Sequence, residues 1–192
     1  MTDAGDVFVG VVGASGVGKD TVISGAREAL RHNSNVIFVR RTITRPADAG
    51  GEDHIAVSTA RFEQLKAEGA FALDWQAHGL SYGIPAAVTQ QVDAGRVIVC
   101  NISRAVAHTA NELFPRFLIV EITAKSETIA RRLAQRGRET SEEIADRKRR
   151  DVTGWRNGLS VCQVDNDHAP QTAVDKLVEV ILNLSGQSAR SA

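Results

Sequence analysis

The stretch GASGVGKDT, from Gly13 to Thr21, follows the apolar run VFVGVV and precedes a segment with helical hydrophobic spacing. It contains the pattern G-x-x-x-x-G-K, ending at Lys19. Between a strand and a helix, this pattern forms a loop whose backbone N–H groups and helix N-terminus bind phosphate oxygens. The sequence therefore predicts a nucleotide-phosphate loop. An ordinary tight turn with a surface lysine is the alternative.

Asp20 departs from this pattern, because the residue after the lysine normally offers a hydroxyl to magnesium. A bare carboxylate at this place would repel the nucleotide phosphates. We therefore expect Asp20 to hold Mg²⁺ or one of its waters, and Thr21 to supply a hydroxyl to phosphate. The alternative is that Asp20 only favours the positive end of the helix dipole.

The composition bounds the class of protein. The chain has 192 residues, of which 43% are hydrophobic, enough for one core and short for two domains. Its 23 basic and 23 acidic residues balance, so the totals favour neither nucleic acid nor an anionic membrane as partner. Cys100 and Cys162 lie far apart in apolar surroundings, as expected of buried thiols in a reducing compartment. With acidic residues near the N-terminus and no apolar run of about 18 residues, the sequence predicts a cytoplasmic protein without a membrane span.

Hydrophobic runs predict the fold class. After VFVGVV, the runs NVIFV, RVIVCN and RFLIVEIT are separated by segments with helical character. This alternation is typical of a parallel sheet covered by helices on both faces, which predicts an α/β fold. Apolar residues at helical spacing mark the last helix, which Pro170 precedes: Val174, Leu177, Val178, Ile181 and Leu182.

Two polar segments interrupt this alternation. From Arg40 to about Tyr82 the chain is rich in arginine, histidine and aspartate, and residues 131–150 are densely charged. Clustered arginines with hydroxyls, such as Arg41, Thr42 and Arg45, can grip a phosphate with bidentate hydrogen bonds. A solvated charged loop is the other interpretation.

At these motifs the sequence resembles the guanylate kinase family along nearly its whole length. The motifs are TITRP (42–46), GGEDH (50–54), SYG (81–83) and RGRE (136–139), downstream of the glycine loop. The resemblance implies a P-loop NTPase fold with an acceptor-binding insertion and a closing lid. We expect a single domain over 1–185, with its core in 1–39, 83–125 and 157–185. The insertion would span about 40–82, the lid about 126–156, and 186–192 would be a flexible tail.

The departures from guanine-specific kinases indicate a different acceptor. Ile84 follows the Tyr-Gly pair, where those enzymes have a serine or threonine. The middle strand ends with NIS, Asn101 to Ser103, which contains no carboxylate. A site that has lost its base-reading hydrogen bonds loses its preference for guanine.

These substitutions together, in GKDT, TRPADAGGEDHIAVS, WQAHGLSYGI, NISRA, RGRE and EIADR, resemble the branch of ribose 1,5-bisphosphate phosphokinases of phosphonate breakdown. That resemblance implies transfer of the γ-phosphoryl group of ATP to ribose 1,5-bisphosphate, with Mg²⁺. The partners would be these small molecules, with no nucleic acid and no membrane.

Three alternatives remain. The first is a guanylate kinase with altered base contacts. The second is a catalytically inactive guanylate-kinase-like interaction module. The third is a small sugar kinase, whose hydroxyl acceptor would need a base such as Asp53 or Asp74.

The resemblance also implies residue roles. The expected ATP contacts are Gly13, Ala14, Ser15, Gly16, Val17, Gly18, Lys19, Asp20, Thr21 and Asn166. Residues expected to bind the acceptor are Arg41, Thr42, Arg45, Glu52, His54, His78, Tyr82 and Asn101. The expected catalytic residues are Lys19 and the lid arginines Arg136 and Arg147. A solvated helix with Glu–Arg pairs is the alternative for the lid, and a simple turn is the alternative for Asn166.

Overall fold

The computed structural model of the chain describes residues 6–49, 51–136 and 154–186. In chain order its elements are β1 (Val7–Gly13), α1 (Lys19–Ala29), β2 (Val36–Phe38), β3 (Thr42–Ile43), β4 (Ile55–Ala56), α2 (Thr59–Ala67), β5 (Phe71–Ala77), β6 (Leu80–Pro85), α3 (Ala87–Asp93), β7 (Val97–Asn101), a short 3₁₀ helix (Arg104–Val106), α4 (Ala107–Leu113), β8 (Phe117–Thr123), α5 (Ser126–Arg136), β9 (Val161–Asp165) and α6 (Pro170–Leu184). The predicted strands and helices around the glycine loop are confirmed.

Five parallel strands form the central sheet, in the order β2-β7-β1-β8-β9. Alternate side chains of β1 enter two different cores, as expected for a sheet covered on both faces. Val9 and Val11 face α1 and α6, whereas Phe8 and Val12 face the side of α3 and α4. The predicted α/β fold is therefore confirmed.

The contact between α1 and α6 depends on one glycine. A Cβ atom at Gly25 would lie 2.6 Å from Cγ2 of Val174, so a hydrogen at this position lets the two helices approach closely. Pro170 occupies the start of α6, where the missing N–H has no intrahelical partner in any case. The apolar spacing read from the sequence therefore describes this helix correctly.

The first polar segment forms a second, four-stranded sheet in the order β4-β3-β6-β5. Strands β5 and β6 form a hairpin whose two-residue turn, His78–Gly79, has positive φ angles of 54° and 72°. Leu73 and Trp75 of β5, with Ile84 of β6, pack into the same core as α3 and α4. The small sheet is thus held against the central sheet by apolar contacts.

The C-terminal ends of the central strands meet at one edge of the sheet, where open α/β folds bind their ligands. The glycine loop follows β1, a short connection and the 3₁₀ helix follow β7, and α5 follows β8. Arg136 is the last described residue of α5, and Arg147 and most of the expected tail lie outside the described residues. Among the helices that the structure describes, none has the length and apolar character required to cross a membrane.

Candidate active site

The glycine loop forms a small polar pocket at this edge. Gly16 and Gly18 have positive φ angles of 78° and 97°, which β-carbon-bearing residues rarely adopt. The pocket is lined by Ser15, Gly16, Gly18, Lys19 and Asp20 and encloses about 100 Å³. The first N–H groups of α1 have no intrahelical acceptor, and the helix dipole is positive there, so the pocket suits a phosphate group.

Residues from two distant elements support the loop from behind. Asn166 is 2% exposed, and its Nδ2 donates to the carbonyl of Val17 at 2.8 Å. Arg132 of α5 donates to the same carbonyl at 3.0 Å and to the carbonyl of Asn166 at 2.8 Å. Leu133 packs so closely that a Cβ atom at Gly16 would lie 2.7 Å from its Cγ. The start of the expected lid is therefore joined directly to the phosphate loop.

Asn166 was expected to contact ATP, and the structure places it beneath the loop. Its Oδ1 is buried and has no hydrogen-bond partner among the described residues. Gly18 lies against the other atom of this amide, since a Cβ atom there would be 2.5 Å from Nδ2. The amide thus holds the loop in shape, and its contact with adenine stays a prediction.

Lys19 folds back over the loop. Its Nζ donates to the carbonyls of Gly13 at 2.9 Å and Ala14 at 3.2 Å. Burial lowers the pKa of Lys19 to about 8; Asp20 opposes this shift, and Arg41 and Arg104 add to it. A bound phosphate would add negative charge beside this part-buried ammonium, in the same sense as Asp20.

Asp20 lies in the first turn of α1, half-buried, and its Oδ1 accepts a long hydrogen bond of 3.4 Å from Nδ2 of Asn101. The loop and the end of β7 therefore meet at this carboxylate. Among the described residues, no three histidine, cysteine or acidic side chains form a metal cluster. Kinases usually bind Mg²⁺ through one or two carboxylates together with substrate phosphates, so the carboxylate of Asp20 fits this ion. Thr21 is exposed on the next position of the helix.

Arg41 is buried in an aromatic and acidic environment. Its Nε donates to Oε2 of Glu52 at 3.0 Å, and its Nη2 donates to Oε1. The guanidinium lies 4.8 Å from the ring centroid of Tyr82 and 5.5 Å from that of Trp75, and these rings stack at 5.4 Å. Glu52 therefore accepts the two hydrogen bonds of the Arg41 guanidinium that the sequence analysis assigned to an acceptor phosphate. The sequence pattern did not reveal this pairing.

His54 orders the loop that contains Arg45. It is 6% exposed, its Nε2–H donates to the carbonyl of Arg45 at 3.0 Å, and its Nδ1 lies 3.0 Å from the carbonyl of Glu52. Nη2 of Arg45 is 3.3 Å from the same Nδ1, and Gly51 packs beside the guanidinium. The buried Thr42 lies on β3. These contacts give His54 a supporting position in this structure, and its contact with substrate stays a prediction.

His78 lies apart from this group. It is exposed at the tip of the β5–β6 hairpin. Two cross-strand pairs, Gln76 with Ser81 and Ala77 with Leu80, lie between this tip and the pair Trp75–Tyr82. Its positive φ angle is a requirement of the turn. The turn therefore accounts for the backbone conformation of His78, and the expected contact of its side chain with the acceptor remains a prediction.

An ionic network around Glu121, at the same edge of the central sheet, was not identified by the sequence analysis. Glu121 of β8 is 1% exposed; it accepts from Nε and Nη2 of Arg156 at 3.0 and 2.7 Å and from Nη2 of Arg104 at 3.1 Å. Gln163 also donates to it at 3.1 Å. Both arginines contact Trp155: the centroid of its ring lies 5.4 Å from the guanidinium carbon of Arg104 and 4.8 Å from that of Arg156. Glu121 is a lone charge inside an apolar strand, and such a charge is rarely buried without a partner, so the sequence did contain a signal.

The family model described as guanylate kinase matches residues 7–181. The chain belongs to the guanylate kinase family. This family member is 43% identical, over 93% of its length, to a ribose 1,5-bisphosphate phosphokinase PhnN of Agrobacterium fabrum, of which it covers 97%. It is 44% identical over 92% of its length to a bifunctional ribose 1,5-bisphosphokinase-thymidine phosphorylase of Azorhizobium caulinodans, but it spans only 25% of that longer protein.

Among solved structures, guanylate kinase from Anaplasma phagocytophilum matches this family member with a TM-score of 0.66. The alignment covers 98% of this chain and 89% of that one at 20% identity. This likeness supports the shared fold. The predicted membership in the ribose 1,5-bisphosphate phosphokinase branch is confirmed by the two sequence relatives.

Proposed function

We propose that the protein transfers the γ-phosphoryl group of ATP to ribose 1,5-bisphosphate, producing 5-phosphoribosyl 1-diphosphate and ADP. The observation that carries this proposal is the 43% identity to a ribose 1,5-bisphosphate phosphokinase over nearly the full length of both chains. The buried Ile84 supports it, because an aliphatic side chain follows the Tyr-Gly pair and cannot read a base by hydrogen bonding.

The proposed reaction needs no general base. The 1-phosphate of the acceptor is ionised near neutral pH, so one of its oxygens attacks the γ-phosphorus directly. The bond from that phosphorus to the bridging oxygen breaks, and ADP leaves with the electron pair. Asp53 and Asp74, the candidate bases of a sugar kinase, are paired with cations: Asp53 bridges Arg27 and Arg40, and Asp74 accepts from Lys66. Positioning and charge stabilisation are therefore the main tasks of the site.

The phosphate loop and Lys19 would hold the ATP phosphates, with Asn166 at the adenine. Asp20, supported by Asn101, would hold Mg²⁺, which neutralises phosphate charge when bound. We place the acceptor-binding insertion at about 40–82 and the lid at about 126–156. Arg136 and Arg147 of the lid would stabilise the charge that develops on the transferred group.

The acceptor would lie beside the second sheet. Arg45 has a half-buried guanidinium at the end of β3, and Arg41 lies between Glu52 and the aromatic pair. We assign Arg41, Thr42 and Arg45 to the acceptor phosphate, with Glu52, His54, His78, Tyr82 and Asn101 as the remaining members of the proposed set. Tyr82→Phe should then raise the KM for ribose 1,5-bisphosphate.

An ADP-release assay with ATP and Mg²⁺ tests the function, with ribose 1,5-bisphosphate and GMP as separate acceptors. Turnover of the sugar bisphosphate alone is the expected result, and isolation of 5-phosphoribosyl 1-diphosphate confirms the product. Turnover of GMP alone would make the protein a nucleotide kinase. Turnover of neither acceptor would contradict the proposal and favour a binding module.

A magnesium titration tests the role of Asp20. Asp20→Ala should raise the Mg²⁺ concentration needed for half-maximal activity, whereas Asp175→Ala, on the exposed face of α6, should not. Unchanged metal dependence in Asp20→Ala would contradict the assignment.

A further inference from the structure

The carbonyl oxygen of Val17, in the middle of the phosphate loop, accepts hydrogen bonds from two side chains outside the loop. Nδ2 of Asn166 donates to it at 2.8 Å, and Nη1 of Arg132 donates to it at 3.0 Å. Nη2 of the same guanidinium donates to the backbone carbonyl of Asn166 at 2.8 Å. Neither donor lines the phosphate pocket, so both hold the Val17 carbonyl on the outer side of the loop.

This contact fixes the direction of the next backbone N–H. The peptide bond between Val17 and Gly18 is trans, so its N–H points away from its carbonyl oxygen. Gly18 lines the phosphate pocket, and no backbone carbonyl among the described residues accepts a hydrogen bond from its N–H. Because the carbonyl is turned outward, this N–H is directed toward the space that a phosphate group would occupy.

The opposite orientation is also open to this peptide. Gly18 has a φ angle of 97°, and glycine adopts positive and negative φ angles with similar ease. A flip of the Val17–Gly18 peptide would turn the carbonyl oxygen toward the phosphate, and the two electronegative groups would repel each other. The flip would also break the hydrogen bonds from Arg132 and Asn166. These two donors therefore stabilise the orientation that suits phosphate.

We propose that Arg132 is a positioning residue for the phosphate loop: with Asn166 it holds the Val17 carbonyl outward, so that the N–H of Gly18 is presented to a phosphate group of ATP. This inference rests on the part of the proposed function that assigns the ATP phosphates to this loop. It gives α5 a role in preparing the loop, which is separate from the proposed charge-stabilising role of Arg136.

Inorganic tripolyphosphate is the probe for this role, because it has the phosphate groups of ATP without the adenine. Calorimetry measures its binding to the wild type, Arg132→Ala, Arg132→Lys and Arg131→Ala. NMR follows the ¹³C shift of the Val17 carbonyl, which responds to its hydrogen bonds, and the ¹H shift of the Gly18 amide, which responds to bound phosphate. Arg131→Ala is the matched control, because it removes the same charge from an exposed position of the same helix.

Arg132→Ala should fold, since Leu133 still packs against the loop and alanine favours a helix. It loses a hydrogen bond from a charged donor, so the Kd for tripolyphosphate should rise about tenfold. The Val17 carbonyl resonance should shift, and saturating tripolyphosphate should displace the Gly18 amide resonance less than in the wild type. Arg132→Lys keeps the charge but lacks the planar fork, so it should recover part of the affinity. Arg131→Ala should match the wild type.

Wild-type tripolyphosphate binding in Arg132→Ala would overturn the inference. A raised Kd with an unchanged displacement of the Gly18 amide would also overturn it, because Arg132 would then act through its charge and not through the peptide. An equal loss of affinity in Arg131→Ala would have the same meaning.

The same experiment separates this inference from the proposed function. A wild type that binds tripolyphosphate but does not phosphorylate ribose 1,5-bisphosphate would contradict the proposed function and leave the role of Arg132 intact. A wild type that does not bind tripolyphosphate would contradict both the assignment of the loop and the role of Arg132.

Discussion

ATP binding should weaken as the pH rises through about 8, because Lys19 loses its proton there. Burial lowers the pKa of this ammonium from 10.5 to about 8 in the free protein. A phosphate binds the charged form, so phosphate binding raises the pKa again and requires uptake of a proton above pH 8. Loss of the proton before binding is therefore a direct cost to ATP affinity.

The magnitude follows from that pKa. If only the ammonium form binds, the apparent Kd for ATP rises about tenfold between about pH 7 and about pH 9, which equals about 1.4 kcal/mol. A lysine with its ordinary pKa of 10.5 would give almost no change over the same range. Burial raises the pKa of the Cys100 thiol to about 12, so this thiol does not titrate in the window.

Isothermal titration calorimetry with ATP and saturating Mg²⁺ measures this effect. Repeating the titration in buffers with different ionisation enthalpies reports the protons taken up. Lys19→Arg is the control, because a guanidinium keeps its charge throughout the range, and its Kd should be independent of pH. A wild-type Kd that stays constant to pH 9, or a pH slope of equal size in Lys19→Arg, would refute the reasoning.

Three stability predictions follow from buried contacts, each measured by urea unfolding. Glu121→Ala leaves two arginines without their carboxylate and should cost about 3–5 kcal/mol, a cost that Glu121→Gln should reduce; equal losses would contradict the ionic role. Gly18→Ala combines a positive φ angle with a 2.5 Å clash, so it should destabilise more than Gly69→Ala, which has a similar φ angle and open space; equal effects would exclude the clash. Gly25→Ala should destabilise despite the better helix propensity of alanine, and Val174→Ala in the same chain should relieve it; additive losses would contradict the close approach.

Local patterns were sufficient to predict the central sheet and the phosphate loop. The run before Gly13 is apolar at every position because β1 is covered on both faces, and the loop glycines adopt the positive φ angles that only glycine accepts readily. The last helix was equally predictable, since its apolar residues share one face. These features depend on residues that are close in sequence, so a single chain reveals them.

The contacts of the candidate site depend on residues that are far apart in sequence. Arg132 reaches Val17 across 115 positions, and Glu121 meets Arg156 across 35. No periodicity encodes such pairs. The sequence therefore assigned Arg41, Arg45, Glu52 and His54 to the acceptor. It did not reveal that Arg41 pairs with Glu52 or that His54 contacts the backbone of Arg45.

Acidic residues pair with several arginines of the first polar segment, so these arginines offer less free positive charge than the sequence indicates. Glu52 engages Arg41, and Asp53 bridges Arg27 and Arg40, so much of the positive charge read from the sequence is balanced internally. The positive charge that the second sheet can offer to the proposed acceptor is therefore smaller than its number of arginines indicates.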